Sequence, residues 1–265
     1  MLRTRVLSAA VLMVVVAVPA VLGGLPFFAL IAAVGVLATW EHVNLFRQGG
    51  YEPSLVLAII LTLLFIVQGQ WSDLFPLSLV LTVAVIGSIF WSLFHNSETP
   101  ATDWAIALAG SLYLGWLLSQ FVRLRALEDG LFWLLVGAIA IWAADVTAYF
   151  AGRAFGRHPW WPRHSPKKTW EGYLSGAVAS TLSSALLGHW LLGLGWLEGA
   201  ALGLLIGLVA PLGDLAESMI KRQVGAKDSS NLIPGHGGIL DRIDSLLVTI
   251  PLVFFWASLM PRWPI

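Results

Sequence analysis

The chain has 265 residues, 58% of them hydrophobic and 11% charged, with a mean hydropathy of +0.81, far outside the range of soluble globular chains. Lys and Arg number 15, as do Asp and Glu, so net charge by itself names no partner, and no nucleic-acid partner is expected. No cysteine is present, which excludes disulfides, thiolate metal sites and a cysteine nucleophile.

Taken in chain order, apolar runs lie near residues 6–22, 25–40, 55–69, 77–95, 103–121, 131–150, 174–194, 198–220 and 245–261. Runs of this length predict membrane helices. The expected fold is all-α, a polytopic integral membrane protein with about nine transmembrane helices. Fourteen Trp suit such a chain, because indole rings anchor at the membrane interface. The first twenty residues have the look of a secretory signal: Arg3 and Arg5, an apolar core, then small residues. A second apolar run follows almost at once, which favours a first membrane helix in a tight hairpin. No repeat is visible. The connections are short except for 151–173 and 221–244. The expected organisation is an N-terminal membrane-helix region, 1–130, and a C-terminal catalytic membrane region, 131–265, that carries both long loops.

With the N-terminus in the cytoplasm and nine crossings, every Lys and Arg except Arg123, Arg125 and Arg262 falls inside. The positive-inside rule favours that orientation, and it turns both long loops to the cytoplasm.

Ionisable groups in membrane spans are costly unless paired, hydrated or bound to an ion. Asp145 lies near the inner end of the sixth run, Asp214 and Glu217 near that of the eighth, and Asp241 and Asp244 lead into the ninth. Asp214, Glu217, Ser218 and Lys221 are spaced i, i+3, i+4 and i+7, one face of a helix. Two readings fit these acids: structural ion pairs at the interface, or ligands for a hard cation such as Mg²⁺, which takes carboxylate and phosphate oxygens. Their number at one depth, beside bases, favours a metal–phosphate site. In the first loop, Ser165, Lys167, Lys168 and Thr169 make a compact donor group with Glu171 close by. It suits either a phosphate or anionic lipid. In the second, Pro234–Gly238 reads PGHGG, a turn whose glycines can bring backbone N–H groups to an anion and whose His236 can donate to one or brace the loop. His42, His95, His158 and His164 have no metal-ligand spacing, and His189 reads as structural. Walker-type GxxxxGK[ST], GxGxxG and HExxH motifs are all absent, as is any recognisable Ser/His/Asp arrangement.

The stretch Ser218–Asp244, SMIKRQVGAKDSSNLIPGHGGILDRID, resembles the signature of the phosphatidate cytidylyltransferase (CDP-diacylglycerol synthase) family. That signature runs S-x-[hydrophobic]-K-R-x4-K-D-x-[small]-x2-[hydrophobic]-P-x-H-G-G-[hydrophobic]-x-D-R-[hydrophobic]-D, and the chain meets it at every specified position. DVTAYFAGRAFGRH (Asp145–His158), SPKKTWEG (Ser165–Gly172) and GDLAES (Gly213–Ser218) are similar to the family's other segments. The resemblance is specific over about 145–244.

The resemblance implies conversion of CTP and phosphatidic acid to CDP-diacylglycerol and pyrophosphate, in phospholipid biosynthesis. It implies Mg²⁺, with room for a second cation, on Asp214, Asp241 and Asp244, with Asp145, Glu217 and Asp228 as further candidates. It assigns Lys221, Arg222, Lys227, His236 and Arg242 to catalysis, and Ser165, Lys167, Lys168, Thr169, Ser218, Gly237 and Gly238 to substrate phosphates. Expected partners are CTP, phosphatidic acid, membrane lipid and a second copy in a homodimer. The expected place is the inner (cell) membrane of a bacterium, with the active site facing the cytoplasm. A CTP-dependent lipid-alcohol kinase, acting on a polyprenol or phytol, is the related alternative; the full signature argues against it. An ion-coupled transporter is the alternative of another class; it predicts acids spread through the membrane depth, whereas here they crowd the inner end.

Overall fold

A computed structural model of the chain describes residues 2–163 and 165–259, with side chains from residue 8 onward; His164 and Arg262 lie outside the described residues. The chain is mostly helical. Helices α1 (Leu2–Leu22) and α2 (Gly24–Gln48) form the expected tight hairpin, followed by α3 (Leu55–Gln70) and α4 (Leu77–Leu93). Next, α5 (Pro100–Ser111) and α6 (Leu117–Ala126) join through a short π-helical segment, Leu112–Trp116, into one apolar helical run. Then come α7 (Gly130–Phe155), a hairpin of β1 (Pro159–Trp161) and β2 (Ser165–Thr169), α8 (Trp170–Leu192), α9 (Trp196–Gln223) and α10 (Leu240–Leu259). Each helix overlaps one predicted apolar run, and several outrun it. Hydropathy marks only the apolar part of a helix, while backbone hydrogen bonds continue into the polar ends.

Among the described residues, five helical runs are long and apolar enough to cross a membrane: α2, Pro100–Ala126, α7, α9 and α10. Ser8–Leu22, α3 and α4 are apolar but shorter. α8 is long enough, but Ser175, Ser180, Thr181, Ser183 and Ser184 dilute its apolarity. Large apolar side chains such as Val14, Phe90, Trp142, Leu182 and Leu204 face outward. In water these would be sticky patches; on a multi-pass membrane protein they meet lipid. The hairpin is the departure from an all-α chain: β1 and β2 pair antiparallel, Pro159 opposite Thr169 and Trp161 opposite Ser165.

The described residues divide into two compact units, 2–123 with 221–242, and 124–220 with 243–259. In the first, Val43 of α2, Leu57, Leu61 and Phe65 of α3, Val80 and Ala84 of α4, and Ala107 of α5 form a buried apolar cluster. In the second, small residues let helices approach closely. At Gly199, Gly203 and Gly207, a Cβ would meet Ala185, Ser180 and Ala177 of α8 at 2.9 Å or less. These glycines recur every fourth residue, a small-residue seam typical of packing in lipid.

Candidate active site

In the first unit residues 221–242 of the signature stretch fold as a helix end, a loop and a helix start. α9 closes with Ala226 N–H on the Lys221 carbonyl (2.9 Å) and Gly225 N–H on that of Arg222 (3.2 Å). Gly225 sits at φ 72°, the left-handed position such a helix end requires. The loop turns again at PGHGG, where Ile233 N–H donates to the Gly237 carbonyl at 2.8 Å.

Two carboxylates hold this loop from inside. Asp241, in the first turn of α10, accepts from Lys221 Nζ at 2.6 Å on one oxygen. Its other oxygen accepts from Ser229 N–H, Ser229 Oγ and Gly238 N–H at 2.8–2.9 Å. Lys221 and Asp241 side chains are 11% and 8% exposed, so this is a desolvated pair, costly to break by removing one partner. The second carboxylate is Glu41, fully buried near the end of α2. Its Oε1 accepts from Ser230 Oγ (2.6 Å) and Ile239 N–H (2.9 Å). Its Oε2 accepts from Leu240 N–H (2.7 Å) and lies 3.1 Å from Ser229 Oγ. Ile239 and Leu240 begin α10, where N–H groups lack intrahelical partners and a negative charge is favoured. A Cβ at Gly238 would collide with Ser229 Oγ and the Glu41 carboxylate, so only glycine fits this clamp. The Gly238 N–H, expected to face a phosphate, is thus taken by the chain's own acid. His236 Nδ1 lies 3.0 Å from Ser8 Oγ of α1. Arg222 donates to the Ala226 carbonyl at 3.0 Å. Lys227, Asp228 and Arg242 are exposed.

The second unit gathers a different set. Lys168 of β2 pairs with Asp214 at 2.8 Å, donates to the Pro211 carbonyl at 3.2 Å and sits 5.9 Å from the Trp160 ring centroid. Asp145 of α7 lies within electrostatic reach of Asp244, Lys168 and Asp214. Ser218 Oγ donates to Asp214 at 3.3 Å, as the one-face spacing predicts. Glu217 is fully buried. Asp244 accepts from Ser245 N–H at 2.6 Å. Pro211 interrupts the helical ladder of α9, and nearby carbonyls are met by Lys168 and by Tyr173 Oη on Leu208 at 3.0 Å. Among the described residues no three acids or histidines already converge as a ready ion cage.

The hairpin that delivers Lys168 rests on aromatic contacts. Trp160 stacks on Tyr173 at 4.2 Å between centroids, and Trp170 packs edge-on to both. At its base, His158 Nδ1 lies 2.6 Å from Glu171. That hydrogen bond is the main reason the Glu171 carboxyl, outside the apolar part of α8, drops from its ordinary 4.5 to about 2. Thr169 caps α8 by accepting from Gly172 N–H at 3.2 Å. Ser165 is half-buried and Lys167 exposed.

The model of the cytidylyltransferase family matches residues 3–260, nearly the whole chain. The chain belongs to the cytidylyltransferase family. It is similar to the phosphatidate cytidylyltransferase of Synechocystis sp., 41% identical over 91% of either chain. It is 33% identical to that of Brucella abortus, over 97% of this chain and 94% of the other, and 30% identical to that of Bacillus subtilis, over 97% and 98%. Family membership makes the chain a nucleotidyltransferase.

Sequence reasoning missed Glu41 in this cytidylyltransferase. Its signal was an acid one residue past the predicted end of an apolar run, straight after Trp40, which reads as an ordinary interfacial charge. Only the fold brings it to Ser229, Ser230 and the start of α10.

Proposed function

We propose that this chain is a phosphatidate cytidylyltransferase, joining CTP to phosphatidic acid with release of pyrophosphate. The carrying observation is near full-length identity of 30–41% to bacterial proteins of that name. In the reaction a phosphate oxygen of phosphatidic acid forms a bond to the α-phosphorus of CTP. The bond from that phosphorus to the β-bridging oxygen breaks, and its electrons leave with pyrophosphate. The lipid phosphate is largely dianionic at neutral pH, so no strong base is required. The protein's task is to position two crowded anions and offset their repulsion.

In this proposal Lys167, Lys168, Lys221, Arg222, Lys227 and Arg242 supply the positive charge, and Ser165, Thr169, Ser218, His236 and Gly237 add donors. Lys168 and Lys221 are oriented by their carboxylate partners. In this reading Asp145, Asp214 and Asp244 would hold Mg²⁺: each offers hard oxygen donors, and Asp145 lies within electrostatic reach of the other two. A cation that takes much of its shell from phosphate and water needs no complete protein cage. Glu217 and Asp228 remain further candidates. Asp241 in this reading holds the loop and Lys221, and reaches a cation only by exchanging one of those contacts. When bound, the cation polarises phosphoryl oxygens and offsets their charge.

We further propose nine crossings, with Pro100–Ala126 as one and α8 as another. Hydroxyls in α8 support this, because Ser175, Thr181 and Ser183 bond back to their own helix carbonyls. The site then faces the cytoplasm from a bacterial inner membrane, at headgroup depth, where a diacyl substrate need not leave the bilayer. A homodimer is part of the same proposal.

The test uses purified protein in detergent with CTP, Mg²⁺ and phosphatidic acid. The expected result is pyrophosphate release that depends on phosphatidic acid. CDP release with a lipid alcohol would instead indicate a kinase. Asp214→Asn and Asp244→Asn should each lower turnover roughly 10²-fold with an unchanged melting temperature; near-normal turnover in both would remove the metal assignment.

A further inference from the structure

An open cavity of about 540 Å³ lies beside the signature loop, and the mechanism above gives it no role. One wall is the end of α2, where Trp40, Asn44, Arg47 and Gln48 project from one face through their i, i+4, i+7 and i+8 spacing. The other wall is Ser229–Asn231 of the loop. The volume is in the range of small-molecule sites.

The lining has a specific chemistry. It contains three carboxamides, one guanidinium, two hydroxyls and one indole that is 38% exposed, with no carboxylate and no aliphatic side chain. Such a lining offers an apolar ring face together with a cation and hydrogen-bonding groups that admit an anion. A carboxamide carries a donor and an acceptor on one plane, which matches a heterocycle edge where the two alternate. Cytosine has that edge, an exocyclic amino donor beside ring-nitrogen and carbonyl acceptors. An indole face offers stacking to a flat base. The floor is braced from below: Ser229 donates to Asp241 through its N–H and its hydroxyl, and Ser230 donates to Glu41, the neighbour of Trp40 on α2. Arg47 is steadied by donating to the Pro53 carbonyl at 3.3 Å. Two residues before Ser229 is Lys227, so a base in this cavity leaves its phosphates beside the basic part of the loop.

We propose that this cavity receives the nucleoside end of the substrate, with the cytosine ring against Trp40 and its polar edge read by Asn44, Gln48 and Asn231. This rests on the reading that CTP is the nucleotide substrate. Asn44, Gln48 and Asn231 are then specificity-determining residues that the signature does not include, except by enclosing Asn231.

The test is steady-state kinetics on the full chain in mixed micelles of detergent and phosphatidic acid, varying CTP and lipid separately. Trp40→Ala and Asn44→Ala should each raise the KM for CTP about tenfold and leave the KM for phosphatidic acid within twofold, and Asn44→Ala should also lower the preference for CTP over UTP, since stacking on Trp40 does not tell the two bases apart. Trp40→Phe should restore most of the loss. If Trp40→Ala fails to fold, Gln48→Ala and Asn231→Ala carry the test, since both positions are exposed. An unchanged KM for CTP in these variants overturns the proposal. So does a raised KM for phosphatidic acid alone, which would make the cavity a lipid-headgroup site. If the wild-type chain turned over no CTP, the reaction itself would be in error, and equilibrium CTP binding to wild type and Trp40→Ala would still decide the cavity.

Discussion

Glu41 shows how one side chain can set the shape of a loop remote in sequence. Its two oxygens accept from Ser230 Oγ and from two backbone N–H groups at the start of α10, and lie beside Ser229 Oγ, which donates to Asp241. Glu41→Ala orphans those donors, at about 1–3 kcal/mol each before relaxation, with the sum less than additive. The variant should therefore melt several degrees below wild type in detergent. Glu41→Gln keeps the shape but turns an amide N–H₂ toward a donor. It should speed hydrogen exchange at Ile239 and Leu240 while the buried amides of α3 keep wild-type protection. Equal loss of protection throughout the chain would mean that Glu41 acts on global stability rather than on the loop. Lys221 is held in the same manner by Asp241, so this base of the signature is fixed in place by an acid of the same stretch.

At the scale of elements, the α8–α9 seam depends on the absence of side chains. A Cβ at Gly203 would approach the Ser180 carbonyl oxygen at 2.5 Å and Ser184 Cβ at 2.7 Å. Gly203→Leu should force the helices apart and cost about 1–3 kcal/mol or more, read as a lower melting temperature and poorer yield in detergent. Gly87→Ala in α4, with nothing within 4 Å of the added Cβ, is the control and should match wild type. The hairpin β1–β2 is a second element with a tertiary cause. Pro159, Pro166, Lys167 and Lys168 are poor strand formers, and the pairing is supported by Trp160, Trp170 and Tyr173. A loop was therefore the natural reading of 151–173, and a cap on α8 was the natural thing to miss in Thr169.

At the scale of the whole molecule, the orientation is open to a direct test, and the cysteine-free chain makes it a clean one. Asp73→Cys lies in the exposed connection between α3 and α4, and Asn96→Cys in the one between α4 and α5. With nine crossings and a cytoplasmic N-terminus, a membrane-impermeant maleimide should label Asp73→Cys in intact cells. It should label Asn96→Cys only after the membrane is opened. The reverse pattern would invert the topology and move the signature loop to the wrong side of the membrane for CTP.

The sequence by itself determined the membrane class, the places of the helices and the stretch that carries the family's chemistry. These follow from local information: apolar runs of membrane-helix length, and a fixed spacing of Lys, Arg, His and Asp over Ser218–Asp244. The spacing of Asp214 and Ser218 also foretold their contact one helical turn apart. Only the tertiary structure decided which acid meets which base. Lys168 pairs with Asp214, Lys221 with Asp241, and Asp145 comes within reach of Asp244, across sequence separations that no periodicity encodes. It also gave the N-terminal region a role that composition could not supply, since Glu41 and the face of Trp40, Asn44 and Gln48 acquire meaning only against residues 229–240. A buried carboxylate becomes a clamp, and a line of amides a reading edge, when the chain brings their partners to them in three dimensions.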